Sequence, residues 1–82
     1  REGILDGAAF LRVADRFISL ANQRNKKIAA TELQMVMLFA AARYAAHVGK
    51  NVLDLDEHED LVTHMAAQYS DMLRGHLSYP SV

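Results

Sequence analysis

The chain has 82 residues, 9 Lys and Arg against 10 Asp and Glu, and no cysteine. These figures exclude a disulfide scaffold, a thiolate nucleophile and a zinc–thiolate site, and they argue against a strongly basic nucleic-acid binder. A chain this short buries roughly 60 to 65 % of the surface its unfolded form exposes, so association is the expected supplement to a marginal core. The strongly apolar run from Met35 to Ala42 is far short of the ~20 residues that span a bilayer. Arg1–Asp6 lacks the layout of a secretory leader. The composition therefore predicts a cytoplasmic protein with no membrane partner.

The first predicted element is a helix over 8–24. Phe10, Val13, Ala14, Phe17, Leu20 and Ala21 recur at steps of three and four and form one apolar stripe. Asp6 is placed to cap it, and Arg24, Lys26 and Lys27 suit the negative end of its dipole.

The second predicted helix runs over 32–48. Thr31-Glu32-Leu33-Gln34 has the form of a capping box, and Gly49 stands where a left-handed C-cap is expected. Its core seam reads Leu33, Val36, Met37, Ala40 and Tyr44, with Val48 at its end. The other faces are apolar too, and Arg43 is the one charged residue between Leu33 and Val48. A helix apolar nearly all round belongs in the middle of an assembly.

The third predicted helix runs over 57–76, with Asp56 as cap and Glu59 closing a second capping box. Glu57, Glu59 and Asp60 sit where the dipole favours negative charge. Leu61, Val62, Met65, Tyr69, Met72, Leu73 and His76 make its stripe. Gly75 is expected to fray the end and Pro80 to stop continuation. β-Branched residues are too scattered for strands. The fold class is all-α: an up-down-up three-helix bundle, one domain over 1–82, with loose ends at 1–6 and 78–82.

Two neighbours cannot surround the second helix. Its outer face offers Met35, Leu38, Phe39, Ala42 and Ala46 as interface candidates, and the small residues let another backbone approach. The expected partner is a second copy of the chain in a two-fold homodimer.

Three segments resemble a known family. Ala14-Asp15-Arg16-Phe17-Ile18-Ser19-Leu20-Ala21-Asn22-Gln23, Phe39-Ala40-Ala41-Ala42-Arg43-Tyr44 and Gln68-Tyr69-Ser70-Asp71-Met72-Leu73 are similar to stretches of the small bacterial DUF3144 family, whose function is unknown. Tyr44-Ala45-Ala46 stands where that family often has Phe-Asn-Ala. The resemblance implies a short, cytoplasmic, all-helical bacterial protein and brings no activity with it.

The remaining candidates for chemistry are few. Arg43, if buried, needs a partner, and Asp15 is the candidate; a structural ion pair is favoured over an anion site. Asp54–Asp60 resembles the start of a calcium loop, but Glu59 occupies the glycine position and Met65 that of the bidentate carboxylate. No His has a Glu three residues before it, so the di-iron bundle motif is absent. Asp60 and His64 share a face and offer only a weak, adventitious metal site. Ser19, Ser70 and Ser78 lack an elbow or oxyanion context, and no glycine loop is present to cradle phosphate.

No cofactor is expected. The leading expectation is a non-enzymatic, homo-oligomeric interaction or scaffold module, with an unidentified protein as a further partner. A small-molecule or metal-binding bundle is the first alternative. A nucleic-acid binder is the second and weaker one, because a recognition helix needs exposed basic and amide side chains on one face.

Overall fold

The computed structural model describes residues 5–53 and 56–79. Its elements in order are α1 (Gly7–Arg24), α2 (Ala30–His47), a π-helical turn (Val48–Val52) and α3 (His58–Leu77). No strand occurs among the described residues. The fold class is all-α, as the helical periodicity predicts. The expectations for residues 1–4 and 80–82, including the stop at Pro80, and for Asp54 lie outside the described residues.

The chain divides into two units, Arg1–Ala42 and Arg43–Val82, and the division falls within α2. In the first unit α1 begins where the sequence predicts. Asp6 has extended backbone, and its carboxylate accepts from the Ala9 N–H at 2.7 Å. That bond satisfies one of the donors a helix start leaves without a partner. At the other end the Asn25 N–H donates to the Ala21 carbonyl, and the Lys27 and Ile28 N–H groups donate to the Arg24 carbonyl. These bonds turn the chain through residues 25–29. The half-buried side of α1 holds Ala14, Ile18 and Ala21, so the seam leans toward Ile18, a residue the stripe as read from the sequence omits.

The start of α2 differs from expectation. The Leu33 N–H donates to the Ala29 carbonyl at 2.9 Å, so the first turn opens at Ala29. Thr31 lies inside the helix and does not cap it. Ala29 and Ala30 are strong helix formers and extend the helix backward past the threonine. α2 is the most apolar of the three helices and the least one-sided, whereas α1 is markedly amphipathic.

In the second unit Gly49 does not end the helix in a left-handed cap. The chain passes from His47 into the π-helical turn, where the Leu53 N–H donates to the Val48 carbonyl at 2.9 Å. The Asn51 side-chain amide donates to the His47 carbonyl at 3.2 Å. It thereby replaces a cap that glycine would otherwise supply. Gly49 itself is buried.

α3 is entered from Glu57, which has extended backbone and makes no side-chain capping bond. The Asp56 capping box is therefore not formed. Its neighbours still act through charge: Glu59 and Asp60 occupy the first turn, and Arg74 and His76 the last. The helix continues through Gly75 to Leu77, and Ser78 closes it by donating from its hydroxyl to the Arg74 carbonyl at 3.0 Å. Arg74 also pairs with Asp71 at 3.2 Å, both well exposed, a contact worth a few tenths of a kcal/mol.

The two threonine- and aspartate-led starts are separable by experiment. Asp6→Ala should cost about 1 kcal/mol of stability in urea denaturation, and Thr31→Ala less than about 0.5 kcal/mol. Equal losses would contradict the capping assignment.

Candidate functional site

The first unit carries an open apolar groove of about 440 Å³. Phe17, Leu20 and Ala21 of α1 form one wall, Ile28 closes the turn end, and Val36, Met37 and Ala40 of α2 form the other wall. Leu33 also lines it and is the one buried hydrophobic side chain among the described residues, at 8 % exposure. The seams read from the helical spacing of α1 and α2 thus meet here. Arg24 supplies the single charge on the groove. Lys26 and Lys27 follow it in a shallow depression at the turn, together with Gln23 and Ile28. The sequence pattern places these basic residues at the negative end of the helix dipole, and nothing in their spacing marks them as a groove rim.

α2 presents its interface candidates to solvent. Met35 is 56 %, Leu38 41 % and Phe39 65 % exposed; Ala42 and Ala46 are exposed as well. Their spacing places all five on one helix face. The stripe of α3 is open in the same way: Val62, Met65, Tyr69, Met72 and Leu73 are all exposed.

The polar candidates are exposed. Asp15 lies in the first unit and Arg43 in the second, and both are exposed. Asp60 and His64 are exposed on α3. No three His, Asp or Glu side chains converge on a common point among the described residues. No helix among the described residues is long and apolar enough to cross a membrane.

One polar grouping was not read from the sequence. The Tyr44 ring lies 6.1 Å from the His47 ring, tilted by 39°, and the Asn51 amide sits 3.2 Å from His47 Nδ1. The π-helical turn brings Asn51 back over His47, and no spacing rule for a regular helix anticipates that.

A family model described as a protein of unknown function, DUF3144, matches residues 10–79. The chain belongs to the DUF3144 family. The matched span holds both walls of the groove, the outer face of α2, the π-helical turn and α3. No curated protein and no solved structure matches the chain. The family therefore secures the relationship, and function has to be argued from the exposed surfaces of this DUF3144 chain.

Leu33 should dominate the local packing. Leu33→Ala is expected to lower stability by about 2–3 kcal/mol in urea denaturation, while Leu11→Ala, exposed and off the groove, should stay within about 0.5 kcal/mol. A Leu33→Ala loss no larger than that of Leu11→Ala would show that the groove is not a packed seam.

Proposed function

We propose that the chain is a non-enzymatic interaction module that works as a homo-oligomer, most simply a two-fold dimer built around α2. The observation that carries this reading is the outer face of α2, where Met35, Leu38 and Phe39 remain 41–65 % exposed in the single chain. Water contact over such a surface is costly, and contiguous apolar patches of this kind mark interaction sites. Across the two-fold the α2 faces pack on each other. Ala42 and Ala46 leave room for close backbone approach. Burial of about 500 Å² of apolar surface per chain would contribute about 12 kcal/mol gross at ~25 cal/mol per Å². Association and ordering costs consume much of that. The remainder is still large beside the ~5 kcal/mol stability of a small domain.

A second reading has one observation in its favour. The groove of about 440 Å³ lies in the range of small-molecule sites, and its apolar walls with one arginine suit a small apolar anion. Native mass spectrometry of protein purified from its expression host separates the two: a bound mass of a few hundred daltons per chain favours the ligand, a bare oligomer favours the module.

Sedimentation at micromolar concentration should give a species of twice 9.1 kDa. Leu38→Glu, which places a charge in the proposed interface, should weaken association by about a hundredfold or more while leaving the helical content intact. A wild-type species that stays at 9.1 kDa across the micromolar range would overturn the reading.

A further inference from the structure

We draw no further inference here: the strongest candidate, the open apolar groove between α1 and α2 with Arg24 as its single charge, carries nothing because nothing in the structure shows what covers it.

Discussion

The rest of the structure depends on the apolar surface of α2. One side chain, Leu33, is buried among the hydrophobic residues described, while Val36, Met37, Phe39 and Leu38 around the same helix all retain solvent exposure. A helix with so little sidedness does not choose a single neighbour. It leaves apolar surface on two sides: along the groove it forms with α1, and on the face that holds Met35, Leu38 and Phe39.

That constraint explains why the local features of the chain are modest. Helix ends are fixed by short-range bonds such as Asp6 to Ala9 and Asn51 to His47, each contributing about 1 kcal/mol. The surface ion pair of Arg74 and Asp71 adds less. None of these compares with the gross contribution from covering α2. A chain of 82 residues without cysteine has no cross-link to substitute for that cover.

The sequence was most legible where the physics is local and periodic. Three helices, and the meeting of Phe17, Leu20 and Ala21 with Leu33, Val36, Met37 and Ala40, follow from spacing by three and four, and the Asp6 cap follows from its residue type at the helix start. It was least legible where two local rules compete. Thr31 is a good cap, but Ala29 and Ala30 favour extension and win. Gly49 is a good terminator, but the Asn51 amide satisfies the His47 carbonyl and the chain continues as a π-helical turn. Asp56 and Glu59 have capping-box spacing, yet α3 is entered one residue later, from Glu57. The groove rim was missed for a different reason: Arg24, Lys26 and Lys27 are separated from the apolar periodicity, and only the turn bonds bring them beside Ile28.

The central claim, that α2 is covered by a second copy of the chain, is tested most directly by isotope-filtered NMR on a dimer half labelled with ¹³C at Met and Leu methyls. Met35 and Leu38 methyl groups should show cross-peaks to protons of the unlabelled copy. A sample of confirmed chain concentration in the micromolar range or above, in which those methyls contact only water and their own helix, would contradict the account.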